Sequence, residues 1–362
     1  MKKLMRNFIY NVSFLAVVWI LSGCAPQMWS RGQSAEIKPI VIMTWNVHNL
    51  FDGKDDGFEY AEFLQSAGWS HEKYMNRINT ISAAIKRLEP LPDIILLQEI
   101  ENHLILEDLT LAMPRGYSWS HFANNPGGIG LGILSRIPLD DVRTHSITVG
   151  GITTPRPVLE TRVLTEQGDF IIMVCHWKSK VGGVDVTEYN RRASARTILR
   201  RVQEIWESEP KLGIIIAGDL NVCHDDFFRR GMNVICSLLP DDPVCVEFVN
   251  SLGIEQKDFI VISGNKPPLP VYFSDETVVF YSPWINELDN GSYLYRNNWE
   301  TIDHFLVSGQ FFETSNWLYD KTQVLDFEPF AGHQGTPVPY NPRTGMGLSD
   351  HLPLLLTLIV KN

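Results

Sequence analysis

The sequence predicts an α/β protein in which short apolar strands alternate with amphipathic helices. Apolar runs recur near residues 40–43, 94–97, 129–134, 158–164, 170–175, 211–217 and 302–307. Runs this short and this uniformly apolar suit strands buried on both faces inside a sandwich. Between them, residues 71–89 and 190–206 place apolar side chains at helical spacing. The chain has 362 residues, 44% hydrophobic and 20% charged, which is ordinary globular composition and enough for one large domain or two small ones.

The amino terminus reads as a leader. Lys2, Lys3 and Arg6 precede an apolar core, Phe14 to Leu21, that is short for a membrane span. Leu21-Ser22-Gly23-Cys24 follows and resembles a bacterial lipobox. That resemblance implies a signal peptide over 1–23, a diacylglycerol on the Cys24 sulfur, and a membrane-anchored lipoprotein on the periplasmic face or cell surface. A chance cysteine in a plain signal, or an uncleaved anchor, is the competing reading. Residues 24–37 are then a polar, lipidated tether, and 38–362 the folded domain.

The formal net charge is −11, and removing the leader makes it more negative. Such a chain lacks the lysines and arginines for bulk affinity to nucleic acid. A high-affinity nucleic-acid binding module is thereby disfavoured; an enzyme that meets phosphate through a local arginine and a metal ion is not. Export permits disulfides, and Cys236 and Cys245 are close enough in sequence to pair. Cys175 and Cys223 lack the basic or helix-start setting of a nucleophile, and the spacing is wrong for zinc.

In chain order, the strand from Ile40 ends at Trp45-Asn46. A lone strand-end Asn more often caps a turn. The helix over 71–89 carries Tyr74, Ile78, Ile81, Ile85 and Leu88, and Pro90 and Pro92 stop it. The next strand runs into Leu97-Gln98-Glu99. A carboxylate ending a buried strand is costly unless it is paired or binds a cation, so Glu99 is the best single candidate for a metal ligand; alone it reads equally as an exposed loop acid. Arg156 precedes the strand at 158–164 and is a candidate phosphate fork, although alone it reads as a surface arginine.

The strand at 170–175 emerges as His176-Trp177-Lys178-Ser179. A single His of this kind is usually a satisfied core residue. The Arg-rich helix over 190–206 follows, and Arg191 and Arg192 at its start are the ones expected to reach a site. The strand at 211–217 ends in Gly218-Asp219-Leu220-Asn221, where alternation would put Asp219 and Asn221 on one side. Residues 223–298 read as long loops and short elements shaping a substrate entrance, and 309–346 again as loop-like. Between them Ile302-Asp303-His304 enters another strand, and Ser349-Asp350-His351-Leu352-Pro353 opens the last one.

Hard oxygen ligands such as Glu99 and Asp350 suit Mg²⁺ or Mn²⁺. A His oriented by a carboxylate suits general-base work near neutral pH. Amides such as Asn46 and Asn221 reach phosphate oxygens or orient water without adding charge. Together these groups can hydrolyse a phosphate ester.

Six segments, at 44–47, 97–99, 176–179, 218–221, 302–304 and 349–353, resemble in order and wording those of the endonuclease/exonuclease/phosphatase superfamily. The resemblance implies a four-layer α/β sandwich, two packed mixed β-sheets flanked by helices. It implies Mg²⁺ (or Mn²⁺) on Glu99, with Asp350 and Asn46 close to the metal. His351 would be the base, oriented by Asp303; Asp219 would position or activate the attacking water. Asn221 and His176 would hold the scissile phosphate, and Arg156 falls where many members contact phosphate. His176 to Lys180, with the Arg-rich helix, is most similar to the secreted nuclease branch. The expectation is a lipid-anchored endonuclease acting on DNA or RNA, with no protein partner inferred. A phosphatase or phosphodiesterase for a small or lipid substrate is the alternative, and a non-catalytic surface binding lipoprotein a third.

Overall fold

Side chains along the first strand, Ile40–Leu50, divide between two apolar layers: Ile40 and Ile42 enter one, Val41, Met43 and Trp45 the other. That period of two, on strands buried on both faces, is what stacks sheet on sheet and helix on sheet. The computed structural model describes residues 38–361 apart from 125–126, 254–256, 268 and 270–277. The leader, Cys24 and the tether lie outside the described residues.

The strands are β1 (Ile40–Leu50), β2 (Ile94–Ile100), β3 (Trp119–Ala123), β4 (Gly130–Ser135), β5 (Leu139–His145), β6 (Thr148–Val149), β7 (Ile152–Thr153), β8 (Val158–Val163) and β9 (Phe170–His176). The second half supplies β10 (Gly213–Asp219), β11 (Leu238–Pro240), β12 (Ile260–Ser263), β13 (Val279–Tyr281), β14 (Tyr293–Tyr295), β15 (Asn298–Glu300), β16 (Asp303–Val307), β17 (Trp317–Val324) and β18 (Leu354–Val360). The helices are α1 (His71–Ile85), α2 (His103–Ala112), α3 (Val184–Ser208), α4 (Asp226–Arg229), α5 (Pro243–Ser251) and α6 (Gln310–Glu313).

One six-stranded sheet runs β17-β18-β1-β2-β4-β3, and one eight-stranded sheet runs β11-β12-β13-β16-β10-β9-β8-β5. Both are mixed: β1 pairs parallel with β2 and antiparallel with β18, and β10 pairs parallel with β9 and antiparallel with β16. The sheets meet through Ile42, Leu96, Ile133 and Leu356 on one side and Ile172, Val174, Ile215 and Phe305 on the other. Helix α1 lays Tyr74, Ile78, Ile81 and Ile85 on the outer face of the first sheet, and α3 lays Ile198, Leu199 and Val202 on the outer face of the second. The result is the four-layer sandwich expected. Among the described residues no helix is long and apolar enough to cross a membrane.

Several local expectations are corrected. Within 223–298 the loops carry short elements as expected, but strands β11 to β13 among them extend the larger sheet. The stretch 309–346 contains β17, an edge strand on β18. Helix α1 ends at Ile85, and α3 begins at Val184, ahead of the expected start. The cysteines Cys175, Cys223, Cys236 and Cys245 are all free and buried, so Cys236 and Cys245 do not pair. Arg191 is buried against Glu188, the Lys178 carbonyl and the Val184 carbonyl, and Arg192 pairs with Asp258, so both serve α3 packing rather than the site.

Candidate active site

Strand register assembles half of the site. Asp219 on β10 lies beside His176 on β9 and Asp303 on β16, so adjacent strands of the larger sheet present these side chains at one level. Gly218, just before Asp219, makes this possible. Its φ is +126°, and a Cβ there would stand 2.1 Å from the Cys175 carbonyl oxygen. Only glycine lets β10 approach β9 so closely in that conformation.

The smaller sheet supplies the other half. The β2 pairing shifts register between Gln98 and Ile100, and Glu99 there adopts φ 65°, a bulge that re-aims its side chain. The end of β1 is tied to the 349–351 segment: Ser349 Oγ donates to the Asn46 carbonyl at 2.6 Å, and Trp45 Nε1 donates to the His351 carbonyl at 3.1 Å. His351 is thereby carried across to the larger sheet, where its Nδ1 lies 2.8 Å from Asp303 Oδ2. The same oxygen accepts a 2.6 Å bond from Ser292 Oγ.

The other groups close in around this pair. His351 Nε2 is 4.0 Å from Asp219 Oδ2. Asn46 Nδ2 bridges Glu99 Oε1 and Asp219 Oδ2 at 3.1 Å each, while its Oδ1 accepts from the His48 N–H. His176 Nε2 stands 3.6 Å from Glu99 and 3.4 Å from Asp219. Asn221 anchors through Nδ2 to the Trp177 carbonyl, and its backbone N–H donates to Asp219 Oδ1. It turns at φ 52°, so alternation along an extended strand is not what places it beside Asp219.

Charge is segregated across the site. Burial tends to discharge His351, but the Asp303 carboxylate beside it outweighs burial and holds its pKa well above the usual imidazole value. Burial pushes the Asp219 carboxyl up, with Asp303 and Glu99 adding to the rise and His351 opposing it. Burial, reinforced by Arg156, His351 and Lys178, drives the His176 pKa well below the ordinary value, so its close approaches to Glu99 and Asp219 are contacts of a neutral ring, not ion pairs. Arg156 and Lys178 line one cleft on the basic flank, and the Arg156 Nη1 is buried without a hydrogen-bond partner.

The acidic flank fits a hard divalent cation. Asp350 Oδ1 and His48 Nδ1 are buried and unpartnered, 3.7 Å apart, and Asp350 and Glu99 each keep part of their side chain open. Asp219, Asp303 and His351 also bring ligand-type atoms within 4.8 Å of one another. That grouping is hydrogen-bonded internally through Asp303 Oδ2, whereas Asp350 Oδ1 makes no hydrogen bond and Glu99, held by the Asn46 amide and the Asn49 N–H, stays partly open. As oriented, Asn46 offers nitrogen rather than oxygen to this flank.

Asn46, Glu99, His176, Asp219, Asn221, Asp303 and His351 thus converge, with Arg156 near His176 and Asp350 near His48, whereas Arg191 and Arg192 do not join them. Three contributors went unrecognised in the sequence. His48 faces Asp350. Tyr293 packs its ring 4.7 Å from that of His351. Arg77, fully buried on α1, donates to the carbonyls of Val47, His48 and Asn49 and stacks 3.9 Å over Tyr340. A signal for Arg77 was available: it falls on the apolar face of α1, where a cation requires buried partners.

Two facing mixed sheets with acids and imidazoles meeting at one end define a metal-dependent phosphoesterase fold. The model of the Endonuclease/Exonuclease/phosphatase family matches residues 41–252, and the chain belongs to that family. Among solved structures, truncated Caenorhabditis elegans TDP2 is similar at 13% identity, over 89% of this chain and 98% of that one, with a TM-score of 0.51. The human Nocturnin catalytic domain with bound sulfate aligns at 17% identity over 89% and 95%, with a TM-score of 0.50. An endonuclease/exonuclease/phosphatase family protein from Bacteroides thetaiotaomicron aligns at 15% over 90% and 96%, with a TM-score of 0.52. Likeness at such identities establishes the fold. A comparison with curated proteins finds no match.

Proposed function

We propose that this protein is an exported, lipid-anchored, Mg²⁺-dependent endonuclease that hydrolyses phosphodiesters of DNA or RNA. The observation that carries the reading is the His351–Asp303 pair at 2.8 Å, with Asp219 4.0 Å beyond and Glu99 and Asp350 on the near flank. Asp303 fixes the His351 ring so that Nε2 faces the reaction. Water attacks phosphorus in line as the ester P–O bond breaks, and its proton passes into the Asp219–His351 pair. Asn221, neutral His176, Arg156 and Lys178 bind the phosphate oxygens and the charge that develops on them. Glu99 and Asp350, with Asn46 beside them, would hold a divalent cation, which neutralises phosphate charge and stabilises the leaving oxygen when bound. No side chain forms a covalent intermediate.

A phosphatase or phosphodiesterase for a small or lipid substrate is the second reading. It is favoured by a cleft of ≈ 330 Å³ lined by Val149, Ile152, Arg156, Lys178, Asn190 and Ser194, a largely apolar recess with one cationic end. The non-catalytic reading does not explain why buried acids and imidazoles are gathered with unpartnered atoms.

The test is hydrolysis by the full chain with Mg²⁺ and with EDTA, offering plasmid, RNA, an inositol polyphosphate and sphingomyelin. Metal-dependent nicking that is lost in His351→Ala supports the nuclease. Release of phosphate or a head group with plasmid and RNA intact refutes it in favour of the second reading. Labelling with tritiated palmitate, lost in Cys24→Ala, tests the anchor.

A further inference from the structure

The hairpin β14–β15 belongs to neither large sheet. It joins the active centre through the bridge of Tyr293 to His351, through the Leu352 N–H, which donates to the Ser292 carbonyl, and through Ser292 Oγ, which donates to Asp303. Tyr293 and Tyr295, two apart on one strand, turn to the same side. Their rings lie 12° from parallel with centroids 6.5 Å apart. Beyond them the Arg296 guanidinium sits 5.0 Å over the Tyr295 ring. The order outward from the catalytic imidazole is therefore His351, Tyr293, Tyr295, Arg296.

This column is not explained by folding. Tyr295 is 47% exposed and belongs to no apolar cluster. The turn at its end joins paired Tyr295 and Asn298 through Arg296 and Asn297, at φ 49° and 65°. Such two-residue turns favour Asn-Gly, because both centres need positive φ. An arginine held at the first centre is a strained choice, and it fixes a cation at the tip of an aromatic row. Near-parallel rings, one half-buried against His351 and one exposed, ending in a guanidinium are a sequence-tolerant surface for planar bases, with the cation available to the next phosphate.

We propose that Tyr293, Tyr295 and Arg296 form a stacking platform for unpaired nucleobases next to the scissile phosphate. The substrate is accordingly single-stranded or frayed nucleic acid, not intact duplex. Bases inside a duplex already stack on one another and hide their faces, whereas unpaired bases offer theirs. The acidic chain, at −11, also lacks the broad cationic surface that holds a duplex by its backbone. The platform deepens the nuclease reading above and rests on it.

The experiment compares kcat/KM of the full chain with Mg²⁺ on a single-stranded oligonucleotide, the same strand with abasic residues flanking the cleavage position, and the corresponding duplex. Wild type should prefer the base-bearing single strand over both. Tyr295→Ala should cut the base-bearing over abasic preference by about 5- to 150-fold, the loss of one stacked base, and Tyr295→Phe should keep it. Equal slowing on base-bearing and abasic strands by Tyr295→Ala would assign Tyr295 a merely structural role and overturn the platform. Preference for duplex would overturn it also, with the nuclease reading intact. Hydrolysis of bis-p-nitrophenyl phosphate with every oligonucleotide untouched would remove the nuclease reading and the platform with it.

Discussion

A single methyl group at position 218 should disable the site. Gly218→Ala places a Cβ 2.1 Å from the Cys175 carbonyl oxygen, at a φ of +126°. Ordinary contact lies beyond 3.4 Å, so β9 and β10 must part by about 1 Å where His176 and Asp219 face each other. Backbone strain of this kind costs about 1–3 kcal/mol, and overpacking a close strand pair about as much again. Together they predict a loss of about 2–6 kcal/mol. A displacement near 1 Å at reacting groups lowers turnover by about 10²-fold. Gly231→Ala is the matched control: its φ is +78°, but nothing lies within 4 Å of the added Cβ. It should cost only about 1 kcal/mol, with activity retained. Urea unfolding and kcat on the preferred phosphodiester read both effects. If Gly218→Ala matches Gly231→Ala in stability and keeps wild-type turnover, the close approach of β9 and β10 does not position the site.

Asp303→Asn should keep the fold, since the amide oxygen can still accept from His351 and Ser292, but lower kcat by about 10²–10⁴-fold with little change in KM; an unchanged kcat would remove Asp303 from the mechanism. Arg77→Met leaves the Val47, His48 and Asn49 carbonyls without their donor and should cost about 3–5 kcal/mol in chemical unfolding, with Arg77→Lys intermediate; a cost below about 1 kcal/mol would refute its stapling role. Glu160 is buried beside His145 and bonded at 2.8 Å through both oxygens to Arg201. Burial opposes its ionisation, yet these bonds hold its pKa down at about 2. Because the folded value is depressed, its contribution of about 2–3 kcal/mol is complete above pH about 4.5 and is lost as pH falls toward 2. The melting-temperature gap between wild type and Glu160→Gln should close over that range, and a gap independent of pH would contradict it.

Much of the architecture was legible because buried strands announce themselves. Ile94 to Leu97 and Phe170 to Cys175 are apolar without interruption, and the polar residue that ends each one is conspicuous. The same contrast exposed Glu99, His176, Asp219 and Asp303. Strand β17 carries no such mark: as an edge strand, Trp317–Val324 mixes polar and apolar residues and has no continuous apolar run. Strands β11 and β13 are three residues each, too short to show a period. The arginines of α3 misled because sequence gives no hint that Arg191 meets Glu188 and Arg192 meets Asp258. His48 and Tyr293 were hidden for another reason. Their place at the site depends on backbone turns and a bridge between distant segments, which residue type alone does not encode.

Asp350 and His351 lie just before β18, far along the chain from their partners at 46, 99, 219 and 303. Strand β18 is also an interior member of its sheet, between β17 and β1. A chain cut before position 350 has neither the imidazole nor the strand that joins β17 to β1. The centre therefore assembles only once the segment 349–360 is in place, and no form lacking that segment can carry it. Truncation before His351 should abolish hydrolysis as fully as His351→Ala does.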